Sequence, residues 1–402
     1  MSLSRTLDAP RCAPPFAARL LLSRLKHITH GSLRLIAPDG SAHWFGADGE
    51  MPEAELRLHD WAACRKLLLA GDIGFAEAYR DGLLDSPDLT ALLRLALRNE
   101  AALGSAAAGS LPARTWYWLK HKLRRNSKSG SKRNIHAHYD LGNDFYQLWL
   151  DPSWTYSSAW FDGHYDLPLA LAQAAKYQRI CDVLGLKPGM RVLEIGCGWG
   201  GFAEHATRQG IAVHGVTISD AQLEFAQQRL ADNALALLEW RDYRDLTGQY
   251  DAIVSIEMFE AVGEAYWQGY FRKLRSLLKP GGKALVQSIT IDERRFDSYR
   301  AGSDFIQAFI FPGGMLPSRN EFQRQARKAG LDTHDRLDFG RDYAETLRRW
   351  RMGFEHALDA VRKLGFDDAF IRVWRLYLCY CEAGFDEDSI GVSQFVLQEA
   401  RT

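Results

Sequence analysis

The run Val192-Leu193-Glu194-Ile195-Gly196-Cys197-Gly198-Trp199-Gly200-Gly201 constrains this chain more than any other stretch. An apolar strand pattern passes into alternating glycines and then into a helical pattern, so the run reads as strand, bare turn and first helical turn. Such a turn lets a ligand lie against backbone, facing helix N–H groups. Its spacing is Gly-x-Gly-x-Gly with an acid two places before the first glycine, which differs from the dinucleotide fingerprint Gly-x-Gly-x-x-Gly. An acid there repels a pyrophosphate and suits an ammonium group. S-adenosylmethionine carries an ammonium group and no phosphate, which makes Glu194, Gly196, Cys197 and Gly198 the first candidates for a cofactor site.

The surrounding residues alternate strands with helices. Strands are expected at 191–195, 211–217, 236–240, 252–256 and 283–289, with helices at 201–209 and 220–231 between them. Apolar runs of this length separated by helical patterns imply an α/β fold with a parallel sheet covered on both faces. Ligands of such sheets bind outside the carboxyl ends of the strands, where Glu194, Thr217, Asp242, Glu257 and Gln287 fall. After the fifth strand the alternation stops. Segments 291–325 and 342–381 are rich in aromatic and aliphatic residues, and fit either a cover over a hydrophobic substrate or a second helical core layer. A last strand is expected at 392–397.

A chain of 402 residues suggests more than one domain. Residues 1–110 read as a smaller α/β or α+β accessory domain, with short strands at 32–36 and 42–45 around the turn Pro38-Asp39-Gly40. Residues 111–135 read as a basic linker or helix, and 136–402 as the larger domain with lipid-binding insertions. The linker combines Trp116, Tyr117 and Trp118 with Lys120, Lys122, Arg124, Arg125, Lys128, Lys132 and Arg133, a composition suited to an anionic membrane surface or to a solvated charged face. Lys+Arg and Asp+Glu both number 50, so net charge selects no partner, and no nucleic-acid motif is present. No stretch is long and apolar enough to cross a bilayer, and no secretory leader is visible. Six cysteines without zinc spacing indicate a reduced, cytoplasmic compartment and no metal site.

Five separated motifs resemble the cyclopropane-fatty-acid-phospholipid synthase family, which shares its methyltransferase domain with the mycolic acid methyltransferases. They are His138-Tyr139-Asp140-Leu141-Gly142-Asn143-Asp144-Phe145-Tyr146 with Thr155-Tyr156-Ser157-Ser158-Ala159; the glycine turn with Trp199; Met258-Phe259-Glu260-Ala261-Val262-Gly263; Tyr299-Arg300 with Asp304-Phe305-Ile306 and Ile310-Phe311-Pro312-Gly313-Gly314; and Phe339-Gly340-Arg341-Asp342-Tyr343 with Tyr380-Cys381-Glu382-Ala383-Gly384-Phe385. Residues 71–82 also resemble the N-terminal region of the longer synthases. The resemblance implies a Rossmann-like class I methyltransferase with a seven-stranded sheet and a helical lid insertion. It also implies transfer of the S-adenosylmethionine methyl to the cis double bond of a phospholipid-esterified acyl chain, giving a cyclopropane. By the same resemblance the protein is cytoplasmic and peripheral on the inner face of a membrane, and forms a homodimer.

Methylation of an alkene leaves a carbocation, so such a site must exclude water, align the reacting carbons and soften the charge with aromatic faces. The resemblance places the cofactor against Tyr139, Tyr156, Ser157, the Gly196-Cys197-Gly198 turn, Thr217, Gln222 and Asp242. In relatives a bound bicarbonate takes the proton, held by glutamate, tyrosine, cysteine and histidine. Glu260 and Tyr343 match the first two, while Ser158 and Gln287 occupy the cysteine and histidine positions and offer only neutral hydrogen bonds. A displaced base would permit methyl or methylene branching without ring closure. Phe259, Phe309, Phe311, Trp350 and Tyr377 are candidates for the acyl channel or the cation's surroundings. The rival readings are a non-catalytic lipid-binding protein on this scaffold and a methyltransferase for a soluble acceptor.

Overall fold

The computed structural model describes residues 13–47, 49–104 and 141–400. Tyr139 and the basic segment 111–135 lie outside them. The chain divides into two compact units, Met1–Arg114 and Thr115–Thr402.

In the first unit, β1 (Ser32–Ile36) pairs antiparallel with β2 (Ala42–Gly46) and parallel with β3 (Glu53–Leu58), which continues to the two-residue β4 (Leu84–Asp85). The hairpin was legible in the sequence. β3 was not anticipated, although Ala54, Leu56 and Leu58 alternate with polar residues and point into the core. The helices Phe16–Leu25, Ala62–Arg80 and Leu89–Arg98 supply the rest of that core.

The second unit is a seven-stranded sheet in the order β7-β6-β5-β8-β9-β11-β10. β5 (Arg191–Ile195), β6 (Ala212–Thr217), β7 (Ala236–Trp240), β8 (Tyr250–Ile256) and β9 (Leu278–Ile291) run parallel, and β11 (Ile390–Glu399) and β10 (Leu331–Asp338) add antiparallel. β10 escaped the sequence reading because Asp332, His334, Asp335, Arg336 and Asp338 leave it no apolar alternation. Charges suit this strand because it forms the sheet edge.

Strand alternation feeds two cores. Leu193, Ile195, Ile253 and Phe395 face one layer with Trp267, Phe271 and Phe322, whereas Val192, Ala252, Val254 and Val396 face the other with Ile180 and Phe202. Glu194 shares the parity of Val192, which turns it toward the helix Leu169–Leu184. The chain order reverses at β5, which has β6 on one side and β8 on the other. A ligand crevice opens at such a switch point. The long segments beyond β9 supply both things the sequence left open. The helices Gly340–His356 and Asp368–Asp386 pack on each other and also present Tyr343, Leu347, Tyr377 and Cys381 to the crevice.

Candidate active site

A cavity of about 300 Å³ lies over the carboxyl ends of β5, β6 and β8. One half is built by the chain around the glycine turn. Gly196, Gly198 and Gly200 adopt φ of +84°, +52° and +82°, a region that favours residues without a Cβ. A Cβ at Gly196 would lie 3.0 Å from the Met258 side chain, while Gly198 faces open space, so the turn presents backbone to the cavity. Glu194 lines the same space, fully buried, with one carboxylate oxygen lacking a hydrogen-bond partner. Burial pushes its carboxyl well above the usual range, against the opposing pull of Lys176. An unsatisfied buried acceptor beside bare backbone fits the ammonium end of S-adenosylmethionine.

Thr217, Gln222 and Asp242 line this half too. Ser219 caps the helix Asp220–Arg229 by accepting from the Gln222 N–H, which fixes Gln222 in the first turn, and Thr217 donates to its side-chain oxygen at 3.4 Å. Asp242 is held by Arg244, whose Nε and guanidinium donate at 2.8 and 2.6 Å. The Arg244 backbone N–H also donates to Oδ1, at 2.9 Å, so Asp242 is held firmly at the cavity wall as a carboxylate acceptor of the kind an adenine amino group requires. Tyr156 and Ser157 close the wall; the Tyr156 and Tyr377 hydroxyls are 2.7 Å apart.

The other half is assembled from distant parts of the chain, and its centre is Glu257. This residue follows β8 with φ +50°, a left-handed backbone uncommon outside glycine. Its Oε1 accepts from the Ser158 backbone N–H at 2.9 Å and from Gln287 Nε2 at 2.8 Å, and its Oε2 accepts from the Tyr343 hydroxyl at 2.5 Å. Burial raises the Glu257 carboxyl, opposed by the Tyr343 hydrogen bond, the Lys176 charge and the Ser158 and Gln287 donors. Tyr343 is itself pushed well above its ordinary value by burial and then by the Glu257 charge, which keeps its hydroxyl protonated as a donor.

Glu260 sits nearby and lines the cavity, its Oε1 accepting from the Ile289 N–H at 2.5 Å. Burial, and after it the charge of Glu257, lifts its carboxyl to about 8. Near neutral pH Glu260 therefore keeps its proton, and the three donors favour negative charge at Glu257 over Glu260. Lys176 is fully buried, lowered to about 7 by desolvation, and donates to the Ser157 hydroxyl at 2.7 Å.

Several expectations from sequence are corrected by these positions. The Ser158 hydroxyl does not face an anion; it donates to the Ala159 carbonyl at 2.9 Å, and only the backbone N–H of Ser158 serves the cluster. Ser158 and Gln287 do not line the cavity, which they reach through Glu257. The Tyr343, Gln287 and Ser158 positions expected to hold bicarbonate direct their donors to Glu257 instead. Phe259 lies in the core against Trp267, Phe271 and Phe322, away from the cavity. Trp350 forms a layer behind Tyr156 and Tyr343, and Phe309 packs on Phe305; neither lines the cavity. Phe311 and Tyr377 do line it. Glu257 was noticed only as a strand-end residue, and Lys176 and Gln394 were missed. The available signal was a polar side chain on the apolar face of a helix or strand. No cluster of His, Cys, Asp or Glu suited to a metal occurs among the described residues.

A parallel sheet with its glycine turn at the switch point, and a buried acid beside that turn, define an S-adenosylmethionine-dependent methyltransferase. Residues 126–395 match the model of the mycolic acid cyclopropane synthetase family, and the chain belongs to that family. It is 37% identical to the tuberculostearic acid methyltransferase UfaA1 of Mycobacterium tuberculosis, over 96% of this chain and 93% of that one. It is 34% identical to the cyclopropane-fatty-acyl-phospholipid synthase of Escherichia coli strain K12, over 87% of this chain and 88% of that one. Among solved structures, the mycolic acid cyclopropane synthase CmaA1 complexed with SAH and CTAB superposes with a TM-score of 0.63 at 32% identity, covering 67% of this chain and 98% of that one.

Proposed function

We propose that this enzyme methylates the cis double bond of an unsaturated acyl chain esterified in a phospholipid and closes a cyclopropane ring. The observation that carries the reading is one cavity whose wall holds both the glycine turn with Glu194 and the Glu257–Glu260 pair, under an aromatic cover. S-adenosylmethionine supplies an electrophilic methyl on a sulfonium. Glu194, the glycine turn, Gln222 and Asp242 would hold that group, in the same cavity that Glu257 lines. Tyr156, Phe311, Tyr343 and Tyr377 offer ring faces that soften positive charge on carbon without capturing it. Their packing also excludes the water that would quench a cation.

The test is incubation with S-adenosylmethionine and vesicles of a monounsaturated phospholipid, followed by mass analysis of the derivatised fatty esters. A mass gain of one CH₂ in a ring-containing ester supports the reading, and methylation of soluble acceptors alone overturns it. A methyl- or methylene-branched product is the second reading, favoured by the 37% identity to a tuberculostearic acid methyltransferase; the same assay separates it from ring closure. Substrate in a bilayer implies work at a membrane surface, and residues 116–133 have the aromatic and basic composition for anionic lipid. We propose from this that the protein works on the inner, cytoplasmic face, and, from the resemblance of residues 71–82 to the N-terminal region of the longer synthases, that it is a homodimer. Co-sedimentation with anionic but not zwitterionic vesicles, lost when Lys120, Lys122, Arg124 and Arg125 are changed to Gln, supports the first part. Light scattering reads the second.

A further inference from the structure

Glu257 occupies the point on which the other residues of the reaction half converge, and the direction of each hydrogen bond there can be worked out. Arg179 is a donor only, and its guanidinium bonds the side-chain oxygen of Gln394. The Gln394 amide must then turn its nitrogen to Gln287, whose oxygen accepts at 3.0 Å. That leaves the Gln287 nitrogen to donate to Glu257. β11 and β9 pair Gln394 with Gln287 in register, so the relay is built into the sheet. On the opposite side, Thr346 accepts from the Ala159 N–H and Asp342 from the Phe161 N–H, at 3.1 and 2.7 Å. These bonds pin the segment that offers the Ser158 N–H to the helix that offers Tyr343. Every fixed donor at this point therefore aims at a carboxylate supplied by the chain. Left-handed backbone is held at Glu257 by the surrounding structure, a kind of strain that collects at functional sites.

We propose that the Glu257 carboxylate takes the proton from the newly attached carbon, so that this enzyme carries its base within its own chain and needs no bicarbonate. The inference rests on the function proposed above. Methyl transfer forms the carbon–carbon bond and breaks the carbon–sulfur bond, leaving the acyl chain as a cation. A C–H bond of the added methyl then breaks; its electron pair closes the ring, and its proton goes to the Glu257 carboxylate. Glu260, protonated near neutral pH, adds no second charge that would compete for the cation.

The experiment compares wild type with Glu257→Gln and Glu257→Gly in carbon-dioxide-depleted buffer, with and without added bicarbonate. Calorimetric binding of S-adenosylmethionine reports that each variant is folded. Wild type should be indifferent to bicarbonate. Glu257→Gln should bind the cofactor normally and lose about a thousandfold in rate, within the range of a removed general base. Glu257→Gly should be equally slow, regain activity with bicarbonate or formate, and broaden the NMR signal of ¹³C-bicarbonate where wild type does not. A tenfold stimulation of wild type by bicarbonate, bicarbonate binding to wild type, or a Glu257→Gln variant with more than a third of the wild-type rate would each overturn the proposal. If wild type modifies no lipid under any condition, the proposed function fails and takes this inference with it; lipid turnover that depends on bicarbonate defeats the inference alone.

Discussion

The two halves of the cavity were made in different ways. The cofactor half comes from one strand–turn–helix and its neighbours, so its residues are close in sequence and its geometry follows from local backbone rules. The reaction half joins residues 158, 257, 287 and 343, brought together by sheet register and by two helices packed across it. Local chain geometry tolerates little variation in side chain, as at Gly196. A cluster made by long-range packing depends on which side chains meet, and here the donors of Ser158, Gln287 and Tyr343 meet at a carboxylate. The lesson is that cofactor binding and proton removal should be separable by mutation.

Beyond the Glu257 variants, the largest effect expected is from Tyr343→Phe. It removes the shortest donor to the carboxylate and should lower the rate about a hundredfold while the calorimetric affinity for S-adenosylmethionine stays within a factor of two to three. A comparable loss of affinity would mean that the halves are not independent. Glu194→Gln is the converse: binding should weaken about tenfold, or ~1.4 kcal/mol, with turnover at saturating cofactor preserved. An unchanged Kd would remove Glu194 from the cofactor site.

Glu260 gives a pH signature. Its carboxyl is held at about 8 against an ordinary value of 4.5, so the folded state keeps a proton that the unfolded chain releases between those values. This contribution makes stability fall as pH rises through that window, most steeply below pH 8. Glu260→Gln should flatten the fall. Scanning calorimetry at pH 5.5 and 8.5 should show the variant gaining on wild type at the higher pH by a few degrees, on the scale of ~2–4 °C per kcal/mol. The smallest effect belongs to Ser158→Ala. Its hydroxyl bonds only a backbone carbonyl, so the loss is bounded by the ~0.5–1.5 kcal/mol of one neutral hydrogen bond, and the rate should remain within about threefold of wild type. A larger drop in a kinetic assay would restore the hydroxyl to the site.

The same contrast explains what could be read in advance. The parallel strands were legible because their apolar runs are buried on both faces, and the glycine turn because few other residues fit it. β10 was hidden by its charges. In the reaction half, Glu260 and Tyr343 were found by resemblance, but their relation to Glu257 was not, because the bond that joins Glu257 to Tyr343 spans 86 positions. Phe259 and Trp350 were assigned to the substrate because an aromatic residue in a core and one on a cavity wall have the same sequence signature. Lys176 stood among the buried residues of its helix, where its charge was the only sign of purpose.

The backbone at position 257 has a practical corollary. Most side chains sit uncomfortably there, and glycine would not, so a hunt for hardier versions of this enzyme that scores main-chain comfort would replace this residue early. Screens for heat tolerance and screens for product would then pull one codon in opposite directions. Pairing them would show whether the chain is keeping an awkward residue for its chemistry.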